Sequence, residues 1–163
     1  MRRRQFIILL GGIAAAWPLT ARAQQSDQIR RIGVLMNKAA SDSQGQARLA
    51  AFKQSLEQLG WTDGKVRIDV CWGADDVDRE RQCATDLAAL APNIAFASGT
   101  LSVAVVKSLS RNVPIVFVGV TDPVGAGFID SLARPGGNVT GFMIYEYSLS
   151  GKWLGLGRLR HRQ

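Results

Sequence analysis

Residues 114–128 read PIVFVGVTDPVGAGF, an apolar run that breaks into a polar turn carrying two glycines. Pro114 to Val118 has the length and β-branched content of a buried strand. Glycines after a strand can cradle a phosphate, shape a catalytic turn or let backbone line a cleft. Upstream the same strand-to-loop arrangement recurs, and the recurrence decides the fold class. Arg31 to Met36 (RIGVLM) is a strand that breaks at Asn37, and Ile94 to Ala97 (IAFA) runs straight into Ser98-Gly99-Thr100.

Between the strands the periodicity is helical. From Gln46 to Leu59 the apolar residues Leu49, Ala50, Phe52, Leu56 and Leu59 recur near helical spacing, and Gly60 follows as a left-handed stop. Val66 to Val70 alternates as a strand with one buried face. Asp75, Asp76 and Asp78 then precede a helix over 79–91, ended by Pro92-Asn93. Their spacing is wrong for a calcium loop, so capping and the helix dipole account for them. Leu101 to Leu109 is a third helix, apolar nearly all round.

The order β-α-β-α-β-α-β with continuous apolar strands predicts an α/β fold, a parallel sheet with helices on both faces. In such sheets ligands bind at the carboxyl ends of the strands. Three loops lie there: 36–41, 98–100 and the stretch after the fourth strand. Two of them lead into helix starts, which present backbone N–H groups to an anionic or polar group. A capping role for Ser98 and Thr100 is the alternative.

The formal charge of +7 is misleading until it is located. Four arginines and no acid stand in residues 1–23, and four bases and no acid in 152–163, leaving twelve bases against thirteen acids between them. A folded middle of that balance carries no nucleic-acid footprint. The first block has its own explanation. RRRQF, the apolar IILLGGIAAAW and an ending at Ala21-Arg22-Ala23 make the three parts of an export signal, cleaved after Ala23. Arg3-Arg4-Gln5-Phe6-Ile7 also fits the twin-arginine pattern, so either bacterial route is open, as is a membrane-anchored N-terminus. Export would put Cys71 and Cys83 in an oxidising compartment, on a strand and the helix after it, where a disulfide is allowed but not required.

Tests for chemistry fail residue by residue. Asp130 stands where the third glycine of G-x-G-x-x-G would be, and the loop follows the fourth strand instead of the first. Gly151-Lys152 has Glu146 and Trp153 in place of the first glycine and the hydroxyl of a Walker loop, and Gly64-Lys65 has Leu59 and Val66 there. G-x-S-x-G is absent, two cysteines without a nearby histidine make a poor metal site, and the one histidine is His161. The expectation is a protein that is not an enzyme and uses neither cofactor nor metal.

Taken in order, the leader, RRIGVLMN, LEQLGWTDGKVRID, PIVFVGVTDPVGAGFIDSLARPGGNVTGF and YSLSGKW resemble the bacterial ABC-transporter substrate-binding family of the tryptophan/tyrosine-permease type, over about residues 1–154. That family has the type I periplasmic-binding-protein fold, two α/β lobes hinged around a small solute. The resemblance implies a Rossmann-like first lobe over 31–147, after a linker at 24–30, with a hinge or helix start and an aberrant tail over 148–163. It implies a periplasmic solute-binding component of an ABC importer, partnered by a small molecule, such as an amino acid, and by permease subunits. It places solute contacts at Asn37, Ser98, Gly99, Thr100, Thr121, Asp122 and Pro123. Asn37, Ser98 and Thr100 would bond a carboxylate or polar group. Asp122 would pair with an amine or cap the short helix after it.

Two departures stand out. Family members carry an aromatic or polar residue where Cys71 and Cys83 stand, so no disulfide follows from the resemblance. The family continues with a second lobe past SGKWL, where this chain runs into GLGRLRHRQ. A truncated or frameshifted product is therefore expected, with weak or no solute binding and self-association through exposed lobe surface. A cofactor-using enzyme or a sensor module on the same scaffold is the competing reading.

Overall fold

A computed structural model describes residues 29–144. The leader with its Ala21–Ala23 cleavage site, the linker up to residue 28, and the tail with His161 lie outside the described residues. In chain order the elements are β1 (Arg30–Met36), α1 (Ser43–Gln58), β2 (Val66–Trp72), α2 (Val77–Ala89), β3 (Ile94–Ser98), α3 (Thr100–Leu109), β4 (Ile115–Val120) and β5 (Val139–Met143). The strands form one sheet in the order β2-β1-β3-β4-β5, every neighbouring pair parallel. The α/β class expected from the alternation is the class observed.

Alternation along β1 sorts the two cores. Leu35 points into a cluster with Cys83, Ala84 and Leu87 of α2 and Val103, Val105 and Val106 of α3. Val34 and Met36 point the other way, into a cluster with Leu49, Phe52 and Leu56 of α1. Helices therefore pack on both faces. The α2–α3 side is the more closed: Leu35, Val103, Ile115, Phe117 and Val120 are fully buried there. Trimming Phe117 to Ala would cost about 3–5 kcal/mol through lost burial and the cavity left behind.

On the other face α1 covers β1 and β2 and reaches β3 through Phe52, whose ring stacks on Phe96 at 4.7 Å. Past Phe96 this face lies open, with Ile94, Phe142 and Ile144 exposed to 39, 75 and 55 %.

The structure adds β5, which the periodicity of the sequence does not announce. Its residues are split between a buried Val139 and an exposed Phe142, and Gly141 interrupts them. That glycine is required by close approach: a Cβ there would sit 2.0 Å from the Phe117 carbonyl oxygen. Gly60 at φ +84 is the left-handed stop that the sequence predicts. Helix starts move a few residues earlier than the apolar pattern suggests, to Ser43 and Val77, because Asp42 and Asp76 cap them. Cys71 and Cys83, left open by the sequence, are joined by a disulfide that ties the end of β2 to α2.

Candidate functional site

The strand order reverses next to β1: the chain leaves β1 for β2 on one side, then returns to β3 on the other. Loops at such a switch point diverge and leave a crevice at the carboxyl ends of the strands. Asn37 follows β1 and Ser98 ends β3, with Met36 and Ser98 in register. The Ser98 hydroxyl donates to Asn37 Oδ1 at 3.2 Å. Ser98 is almost wholly buried, so its hydroxyl is held rather than solvated.

Gly99 links this pair to α3. Its φ of +94 suits glycine alone, and a Cβ there would lie 3.0–3.2 Å from the Asn37 side chain. The Gly99 N–H is already donated to the Val118 carbonyl, at 2.9 Å. Gly99 is also the N-cap of α3, where no side chain among the described residues accepts from the first-turn amides and no acid stands in the first turn. Ser98 and Thr100 thus do not cap this helix. Thr100 is exposed at its first position.

After β4, Thr121 is exposed, Asp122 half-buried and Pro123 fully buried. Asp122 Oδ1 accepts from the Gly125 N–H at 2.8 Å, and its carbonyl accepts from Ala126 at 3.0 Å. A Cβ on Gly125 would collide with Asp122 Oδ2 at 2.1 Å. The glycines of this loop therefore close a capped turn over 123–127, and the short helix expected there is only that turn. Among the described residues no hydrogen bond joins Thr121 or Asp122 to the Asn37–Ser98 pair.

Two carboxylates around the site escape the sequence reading. Asp75, taken with its neighbours as a cap, accepts instead from Asn37 Nδ2 at 3.0 Å and from Lys38 Nζ at 3.1 Å. The cap of α2 is Asp76, which accepts from the Arg79 N–H at 2.8 Å. Beneath them Glu80 is wholly buried, its Oε2 accepting from the Ser102 hydroxyl in the first turn of α3 at 2.6 Å. Burial pushes the Glu80 carboxyl above its ordinary value; the Ser102 bond lowers it and the charge of Asp75 raises it. Only Gly73 makes room for this side chain, since a Cβ there would lie 2.2 Å from Glu80 Cγ.

Chemically, the spot is built for recognition: uncapped amides, a carboxamide and a buried hydroxyl that can still accept. No cluster of His, Cys, Asp or Glu fit to hold a metal is found among the described residues.

The sequence model of ABC transporter substrate-binding proteins matches residues 30–147. This chain belongs to that family. A tyrosine-binding protein of Clostridioides difficile is 33% identical over 95 residues, which are 58% of this chain and 28% of that protein. A crystal structure described as an ABC domain from Streptococcus pneumoniae in complex with L-Trp superposes with a TM-score of 0.66 at 25% identity, covering 71% of this chain and 39% of that one. The ligand-free, open form of a Clostridium difficile substrate-binding protein with adhesive properties gives a TM-score of 0.66 at 27% identity, covering 72% and 40%. The chain thus spans well under half the length of the relatives it matches. Those relatives are described as binding proteins or as a transporter-type domain holding a ligand, which agrees with a non-enzymatic family.

Proposed function

We propose that this chain forms one wall of a solute-capturing cleft in an exported component of an ABC importer. The observation that carries this is the Asn37–Ser98 pair at the switch point, set beside the uncapped start of α3. Backbone amides and the Asn37 NH2 group suit a solute carboxylate, worth about 1.5–3 kcal/mol for each bond to a charged group. Thr100 and Thr121 add hydroxyls on the exposed rim, and Asp122 can meet an amine while it caps its turn. Tyrosine and L-Trp, named for the relatives, make aromatic amino acids the first solutes to try.

Residues 31–147 make the first of two lobes, and the leader 1–23 directs export to the periplasm. Permease subunits are the partners of such a component. One lobe of this kind supplies part of the contacts and cannot exclude water from the solute, so a lobe taken by itself binds weakly. The open β3–β5 face, with Phe142 and Ile144 exposed, makes self-association the expected behaviour of that form.

Calorimetric titration of the chain with L-tyrosine, L-tryptophan and tryptamine tests this reading. Millimolar binding of the amino acids with loss for tryptamine, which lacks the carboxylate, is expected. Equal binding of tryptamine, or no binding of any, would defeat the carboxylate site. Micromolar binding would defeat the single-lobe account of weak affinity.

A further inference from the structure

Asp75 is held where it is by an unusual amount of backbone. Three successive amides of the β2–α2 loop, those of Gly73, Ala74 and Asp75, donate to the carbonyls of Met36, Lys38 and Asn37 at 2.8, 3.2 and 2.6 Å. This lays the loop along the one that follows β1. Ala74 and Asp75 both adopt left-handed φ values, +56 and +55. Each costs a non-glycine residue about 1–2 kcal/mol, so neighbouring contacts must hold the conformation. The Cys71–Cys83 disulfide closes the chain segment around it.

The result is a reciprocal pair. The Asp75 amide donates to the Asn37 carbonyl, and the Asn37 side-chain amide donates to the Asp75 carboxylate. A carboxylate accepts and cannot donate, so it takes the NH2 end of Asn37 and never its oxygen. Asn37 Oδ1 is left for the Ser98 hydroxyl, and Nδ2 keeps one hydrogen. The point where a Gly99 Cβ would stand is 3.0 Å from that nitrogen, so the free hydrogen belongs to a group beside the start of α3. Lys38 on the other carboxylate oxygen offsets the charge that Asp75 would otherwise turn on an anionic solute group.

We propose that Asp75 is a positioning residue of the solute site, locking the Asn37 carboxamide with its NH2 beside the α3 start so that the spot offers donors to the solute. This rests on the solute-binding reading above. Without the lock, the amide turns about a broad, roughly two-fold torsion and offers its oxygen in a large share of molecules, opposing a carboxylate.

The test uses the 15N-labelled 163-residue chain and its Asp75→Ala, Asp75→Asn and Asp76→Ala variants, read at the Asn37 side-chain NH2 resonances and then titrated with L-tryptophan. Asp75→Ala should collapse the distinct shifts of the Asn37 NH2 pair and weaken the tryptophan response about tenfold, the worth of one good hydrogen bond. Asp75→Asn, which can still accept, should restore most of both. Asp76→Ala, which loses a helix cap, should lower thermal stability and leave the Asn37 signals and the titration in place. An unchanged Asn37 pair in Asp75→Ala, or the same change in Asp76→Ala, overturns the lock. A wild-type chain with no tryptophan response defeats the solute-binding reading and the solute half of this proposal, while the Asn37 resonances decide the lock by themselves.

Discussion

The three helices among the described residues all start at the carboxyl ends of strands, yet two starts are closed and one is left open. At α1 the Asp42 carboxylate accepts from the Gly45 N–H at 2.7 Å, and at α2 Asp76 does the same for Arg79 at 2.8 Å. At α3 the cap is Gly99, with no side-chain acceptor. Position in the fold is equivalent, so the chemistry differs by sequence alone. A capped start satisfies its own donors and adds stability. An open start keeps donors and the positive end of the helix dipole for something else. The open one is also the start beside the strand-order reversal, next to a buried serine and an oriented asparagine.

Changing the open start should have the largest effect. Gly99→Ala forces a Cβ against the Asn37 side chain at a φ that disfavours it. A loss of about 2 kcal/mol in chemical denaturation is expected, together with displacement of the Asn37 signals. A stability within error of wild type would show that the left-handed cap is not required.

Changing the closed starts should cost less and leave the site alone. Asp42→Ala and Asp76→Ala should each lose about 1 kcal/mol by denaturant titration. Neither should alter the solute response, and a weakened response in Asp42→Ala would blur the contrast between the two kinds of start.

The smallest effect is expected at Glu80, which links the closed start of α2 to the open one of α3 through Ser102. Its carboxyl lies above the ordinary 4.5 in the folded chain, chiefly through burial. A folded state that binds this proton more tightly gains stability below about pH 4.5 and loses that gain as pH rises through the raised value. Glu80→Gln should therefore flatten the decline in stability above pH 4.5. A variant whose pH profile matches wild type would remove Glu80 from the linkage.

Which parts of this were legible beforehand follows from range. Strands of four to six apolar residues and the stop at Gly60 are local signals, and the structure keeps them. Asn37 and Ser98 could be picked as loop residues after strands, but their pairing depends on β1 and β3 being neighbours, which no local pattern states. Asp75 and Asp76 are indistinguishable as sequence. Only the left-handed backbone at 74 and 75 sends one carboxylate to Asn37 and leaves the next to cap α2. β5 hides because Gly141 answers to the Phe117 carbonyl on a neighbouring strand, a contact fixed by the sheet.

Chemical-shift mapping of the backbone amides during titration with L-tryptophan tests the role of the open start most directly. Shifts concentrated at Thr100, Leu101 and Ser102, with Gly45 and Arg79 at the capped starts unmoved, are expected. Shifts of equal size at all three helix starts, or none at residues 100–102, would contradict it.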